Sequence, residues 1–262
     1  MLQPPQDNDH LYDVSMPTYK DNDITHRGMH QLWTFCPHEV VSHIYKESST
    51  LRYRLQEATS GKELPPAYVE HPIVQKAVAA GAPLPVPLGI FIDGVPCSHI
   101  DSAVGVWVIL EPTGERLLVA VLRKSICCSC GCRGWCSYRS MFSWLVWSLA
   151  ALAEGRFPEA RHDNKDFQQQ ARIDKAGQYL GCTGAVIWMK ADWAEIVTTL
   201  GFPSWNDAQR PCALCNASSE NFQDVTKVSP NSFRWRLNAE DDYNAACARC
   251  ESCIDATEEQ HR

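Results

Sequence analysis

Gly89-Ile-Phe-Ile-Asp93 is a compact apolar run that ends in an acid, and together with the two alternating runs after it this segment decides the fold. Ser102 to Glu111 alternates, with Val104, Val106, Val108 and Leu110 on one face and Trp107 and Ile109 on the other. Pro112-Thr-Gly114 is a turn signal. Arg116 to Lys124 then returns, with Leu117, Val119 and Val121 opposed to Leu118, Ala120 and Leu122. Two period-two runs around a tight turn predict a hairpin. The three segments therefore predict three consecutive strands, antiparallel where the hairpin forces it.

Upstream, Pro83-Leu-Pro-Val-Pro87 is a stiff extended connector. Before it, Val40, Ile44, Leu51 and Leu55 recur near helical spacing between Pro37 and Ala58, which predicts one or two helices ended by Gly61 and Pro65-Pro66. A short helix is expected from His71 to Ala80. Residues 1–30 are polar and rich in Asp, Asn and His, and are expected to be disordered. Downstream, Tyr138 to Glu154 is apolar nearly all round and predicts a buried helix closed by Gly155. A second helix is expected over Asp166 to Tyr179, a buried strand over Gly184 to Met189, and a helix over Ala191 to Leu200. The order is mixed α/β. The chain thus divides into three regions: 1–82, a disordered start and then helices; 83–204, the core; 205–262, a Cys-rich segment.

The chain has 262 residues, 45% of them hydrophobic and 21% charged, so it can bury a sizeable core. Its 24 Lys and Arg stand against 31 Asp and Glu, a net charge of -7, which disfavours a generally basic nucleic-acid coat protein but leaves room for a local basic groove. The N-terminus has no basic segment followed by an apolar one, and the longest apolar stretch, Met141 to Ala153, is too short to span a bilayer. A soluble intracellular protein with no membrane partner is expected. Thirteen cysteines, an odd number bunched at ligand spacings, point to a reducing compartment and bound metal rather than disulfides.

Two cysteine groups stand out. Cys212-Ala-Leu-Cys215 and Cys247-Ala-Arg-Cys250 are both C-x-x-C pairs separated by 31 residues. Each pair can grip one ion from a tight turn, and two such knuckles complete a tetrahedral Zn²⁺ site. Cys253 could replace Cys250; free thiols are the alternative. The other group is Cys127-Cys-Ser-Cys130-Gly-Cys132-Arg-Gly-Trp-Cys136, where Cys128, Cys130, Cys132 and Cys136 are candidate ligands and His162 is a candidate from elsewhere. Four soft ligands leave no open position, so both zinc sites would be structural.

Chemistry would then fall to acids. Asp93 ends the first strand of the core, and Asp192 comes after the run Ala185 to Met189. Acids at two neighbouring strand ends can converge on Mg²⁺ and activate a nucleophile for phosphodiester cleavage. The alternatives are local: Asp93 precedes Gly94 and suits a turn, while Asp192 suits a helix N-cap with Glu195 completing a capping box. His162-Asp163 is a weaker catalytic pair, better read as a solvated loop. Arg123, Lys124, Arg133, Arg139 and Arg234-Trp-Arg236 could touch phosphates and bases, or form a solvated face.

Pro87-Leu-Gly-Ile-Phe-Ile-Asp-Gly-Val95, the strand pair ending Leu122-Arg-Lys124, Cys130-Gly-Cys-Arg-Gly-Trp-Cys136 and Arg161-His-Asp163 together resemble the central region of CACTA-type and related cut-and-paste DNA transposases. Lys190-Ala-Asp-Trp193, Leu200-Gly-Phe-Pro203, Pro211-Cys-Ala-Leu-Cys215 and Ala246-Cys-Ala-Arg-Cys-Glu251 are more similar to multi-copy Cys-rich protist proteins of that type. The resemblance implies an RNase H-like fold, a five-stranded mixed sheet flanked by helices, with acids holding two Mg²⁺ ions. The first acid, on strand one, would be Asp93; the second, after strand four, Asp192. A third has no firm match, with Glu240, Asp241 or Asp242 as candidates. DNA is the implied partner and the nucleus the implied location. Such transposases run longer, so an incomplete or inactive version is expected. The alternative is a non-catalytic zinc-binding module for protein or nucleic-acid interaction.

Overall fold

A computed structural model describes residues 10–20, 23–60, 64–99, 101–130, 132, 134–200, 202–204, 206–207, 212, 215, 217–218, 220, 241 and 245. The chain divides into two compact units, Met1–Glu195 and Ile196–Arg262. The first holds an α/β fold built on a four-stranded mixed sheet.

The three strands expected from the central pattern are present as β3 (Val86–Pro96), β4 (Ser102–Leu110) and β5 (Glu115–Arg123), each antiparallel to the next. The sixth strand, β6 (Gly184–Ala191), lies parallel to β3, so the sheet order is β5-β4-β3-β6. The β4–β5 turn closes with the Gly114 N–H donating to the Leu110 carbonyl at 2.7 Å. Alternation sends Val86, Leu88, Ile90 and Ile92 of β3 and Val104, Val106, Val108 and Leu110 of β4 into the core. A fully buried aliphatic side chain of this kind contributes about 1.5–3 kcal/mol. A register shift between Val106 and Trp107 breaks the strict alternation, which leaves Leu118 and Val121 of β5 exposed while Val119, Ala120 and Leu122 are buried.

The long helix α5 (Trp135–Glu154) sinks Met141, Trp144, Leu145, Ser148, Ala151 and Leu152 into the core, while Val146 faces solvent. It starts after Gly134 in the left-handed region (φ 85°) and ends at Gly155, also left-handed, whose N–H closes the last turn on Ala151 and Leu152. Helices α1 (Pro37–Glu47) and α2 (Ser49–Thr59) occupy the expected helical segment, with Ser48 capping α2 by accepting from the Leu51 N–H. Two short helices, α3 (Pro66–Val69) and α4 (Pro72–Ala79), bring Tyr68 and Val74 against Ala185 of β6.

Two expectations are corrected. The start of the chain is not disordered throughout: β1 (Tyr12–Lys20) and β2 (Asp23–Thr34) form an antiparallel hairpin. Its inward residues Tyr12, Val14 and Met16 are fully buried, and β1 runs along α5. The expected helix over Asp166 to Tyr179 shrinks to one turn, α6 (Gln170–Ile173). Backbone groups past it pair instead with residues 155–157, as in Phe157 N–H to Gln178 O (2.9 Å) and Gly177 N–H to Phe157 O (3.0 Å). The sheet has four strands among the described residues, against five implied by the transposase resemblance. The helix expected near Ala191 to Leu200 is α7 (Trp193–Thr198). Among the described residues, no helix is long and apolar enough to cross a membrane.

Candidate metal centre and acidic strand ends

A single 3-10 turn, Lys124–Ile126, leads from β5 into the cysteine loop, which closes on the first turn of α5. Gly134 N–H donates to Cys128 O at 3.1 Å and Trp135 N–H to Cys132 O at 3.0 Å, so the loop folds back on itself. Ser137 fastens it below: its hydroxyl accepts from the Cys128 N–H at 2.9 Å and donates to Pro17 O of β1. The ligating atoms of Cys128, Cys130, Cys132 and Cys136 all lie within 4.8 Å of one another. Four sulfurs at about 2.3 Å from a tetrahedral ion stand roughly 3.8 Å apart. Cys130 Sγ and Cys136 Sγ are 3.9 Å apart, so the donor set fits such an ion with little movement.

The four thiols do not hold their protons alike, and each thiolate formed opposes the next by like-charge repulsion. Burial pushes the Cys128 thiol up and Cys136 up to about 11. Burial also opposes ionisation of Cys130, but hydrogen bonds from the Cys128 thiol and from Cys132 outweigh it and hold Cys130 below the ordinary thiol range. Cys130 thus gives up its proton more readily than Cys128 or Cys136, and an ion bound there would draw off the remaining protons. Cys136 lies in the first turn of α5, where the helix dipole also favours negative charge. Cys127 stands outside the group: it bridges Thr18 of β1, and burial raises its thiol to about 11.

The acids meet the sheet differently. The β3–β6 register ends at Ile92 opposite Ala191, so Asp93 and Asp192 are the next residues along the two segments. Asp93 does not end its strand as expected: β3 continues to Pro96 because β4 still pairs with it there, and Asp93 stands opposite Gly105, whereas Asp192 lies just past β6. Asp93 is half-buried, and no hydrogen bond or ion pair among the described residues engages its carboxylate. Asp192 is exposed and caps α7, its Oδ1 accepting from the Glu195 N–H at 2.6 Å. The Glu195 carboxylate does not return to the Asp192 backbone as a capping box would have it. It turns inward, almost wholly buried, and pairs with Lys124 Nζ at 2.6 Å above Gly94.

The other expected site residues are scattered. Cys212 and Cys215 come together in the second unit, where burial and then the neighbouring Cys212 raise the Cys215 thiol. Cys247, Cys250 and Cys253 lie outside the described residues, as do Glu240, Asp242, Arg133 and Arg234-Trp-Arg236; Asp241 is described and exposed. His162 is no ligand of the four-cysteine group: its Nδ1 is hydrogen-bonded to Tyr12 Oη at 2.7 Å, and its ring packs on Trp147. Asp163 pairs with Lys165 at 2.9 Å and with Arg161 at 3.4 Å. Two of the basic candidates are held by acids, Arg123 by Asp101 at 2.7 Å and Lys124 by Glu195. Glu195 itself was legible only as a cap. Its inward turn depends on a lysine 71 positions earlier, which no local spacing reveals.

No protein-family model matches this chain, and no curated protein or solved structure matches it.

Proposed function

We propose that this chain is a zinc-stabilised, RNase H-like domain of transposase type, in which Asp93 and Asp192 hold Mg²⁺ for DNA strand cleavage or transfer. The observation that carries the reading is the place where the β3–β6 pairing stops: two acids, each one step past the parallel register, one within β3 and the other just after β6. In chain order β3 and β6 are the first and fourth strands of that sheet. Carboxylates so placed supply hard oxygen ligands to Mg²⁺, which can activate a water or hydroxyl and stabilise a leaving oxygen. Zinc is the ion best suited to the thiolates of Cys128, Cys130, Cys132 and Cys136. Its binding would contribute on the order of 10 kcal/mol to a loop otherwise held by a few hydrogen bonds. Because the loop is hydrogen-bonded to β1 and opens α5, zinc would secure the packing of the hairpin on the core.

One observation favours a second reading, a non-catalytic zinc module for protein or nucleic-acid interaction. Asp192 already has structural work as the N-cap of α7, and that alone can account for an acid at this position. The test is Mg²⁺-dependent nicking of supercoiled DNA by the purified chain, with Asp93→Asn as control. Nicking that disappears in the variant supports the first reading. Nicking that is equal in both, or absent from the unaltered chain, favours the second.

A further inference from the structure

We propose that Cys36, His38 and Glu39 form a second metal site, buried where β2 runs into α1 and separate from the four-cysteine loop. Their ligating atoms, one sulfur, one imidazole nitrogen and one carboxylate oxygen, all lie within 4.8 Å of one another. Tetrahedral coordination at about 2.0–2.3 Å needs donor separations of roughly 3.3–3.8 Å, so shifts of about an ångström complete the site. The mixed soft and hard donor set suits a borderline divalent ion, zinc first, with one position left for a further ligand.

Each donor is oriented by a neighbour. Cys36 is fully buried at the N-cap of α1, with no side-chain cap bond of its own. The Trp144 indole N–H is fully buried, has no N or O hydrogen-bond partner among the described residues, and lies beside Cys36 so as to favour its thiolate. A metal-bound sulfur would accept from that donor, which is otherwise a buried polar group left unsatisfied. The His38 ring is held through Nδ1 by Ser148 Oγ at 2.7 Å, and burial keeps it in the neutral form that binds metals. Arg172 forks onto Glu39, Nε to Oε1 at 2.7 Å and Nη2 to Oε2 at 2.8 Å. Each carboxylate oxygen has two lone pairs, so it can accept from the guanidinium and still ligate an ion. Partners of this kind behind the donors are the usual means of fixing a metal site. A thiolate and a carboxylate would bring two negative charges to a dication, the carboxylate's being shared with Arg172. Without one, burial holds the Cys36 thiol strongly against ionisation.

The test measures zinc per chain in the full protein purified in zinc-supplemented buffer. Cys36→Ser is expected to lose one zinc relative to the unaltered chain, and Cys97→Ser, an exposed thiol, none. Equal zinc in Cys36→Ser and the unaltered chain overturns the site. Should Cys36→Ser fail to fold, zinc X-ray absorption of the unaltered chain answers instead. Nitrogen or oxygen scatterers are expected in the first shell, and a shell of sulfur alone overturns the proposal. Loss of the four-cysteine ion is read separately with Cys132→Ser, so failure of one site is not mistaken for failure of the other.

Discussion

The Glu195 carboxylate occupies the space that a side chain at Gly94 would need, and Lys124 holds it there. This contact ties the first turn of α7 to the end of β3. It thereby fixes Asp192, which caps the same helix, near the stretch of β3 that carries Asp93. A sequence-distant lysine, a glycine without a side chain and a buried acid together hold the start of α7 against β3.

Gly94→Ala should therefore destabilise the chain out of proportion to one added methyl. The new carbon would displace the buried Glu195 carboxylate from Lys124 and break that ion pair. A loss of about 3 kcal/mol is expected, in the range for breaking a buried pair. Urea denaturation followed by tryptophan fluorescence measures it. Lys124→Met should cost a similar amount, and the double variant much less than the sum, because both act on one acid.

Asp192 offers a separation of roles. Asp192→Asn keeps a side-chain oxygen for the Glu195 N–H, so stability should change by about a few tenths of a kcal/mol at most. Asp192→Ala removes the cap and should cost about 1 kcal/mol. If the acid also binds Mg²⁺, both variants lose DNA nicking alike. An Asn variant that nicks as well as the unaltered chain would remove Asp192 from the chemistry and leave it a cap.

Within the cysteine loop, Cys132→Ser should release one zinc per chain and lower the melting temperature by more than about 10 °C, given a site worth on the order of 10 kcal/mol. Cys127→Ser should keep the ion, because Cys127 stands outside the group. Zinc content and a thermal melt on the same samples check both. Chelator should reproduce the Cys132→Ser melt in the unaltered chain.

His162 gives a pH dependence. Burial lowers its folded pKa below the ordinary imidazole value, against the pull of Asp163. As pH falls through the unfolded value near about 6.5, the unfolded chain takes up a proton that the folded chain still refuses. Unfolding is thereby favoured, and this contribution to stability, fully present above the unfolded value, is lost as pH falls towards the lowered folded value. Stability by urea titration between about pH 7 and pH 5 should fall less steeply in His162→Gln than in the unaltered chain. The same variant should loosen Tyr12, whose hydroxyl is hydrogen-bonded to the ring.

Much of the fold was legible because its signals are local. Period-two alternation in Val104 to Leu110 and the turn at Pro112-Thr-Gly114 are read over a few residues, and β4 and β5 appear where they were expected. The four-cysteine group was legible for the same reason. Its thiols fall within nine residues, so closing the loop costs little entropy whatever the rest of the chain does. The hairpin β1–β2 was missed although Tyr12, Val14 and Met16 do alternate with Asp13 and Ser15. Its polar setting reads as disorder until α5 is present to bury those three side chains.

By itself, the sequence determined the strand and helix succession from β3 to α5, with β6 and α7, and the gathering of Cys128, Cys130, Cys132 and Cys136. Tertiary structure alone decided that β6 lies parallel beside β3, that Glu195 turns in to Lys124, and that Cys36, His38, Ser148, Glu39 and Arg172 meet in one buried cluster. The difference is one of range. Short spacings constrain a chain before it folds, whereas His38 and Ser148, 110 positions apart, or Glu39 and Arg172, 133 apart, meet only once the core has excluded water around them.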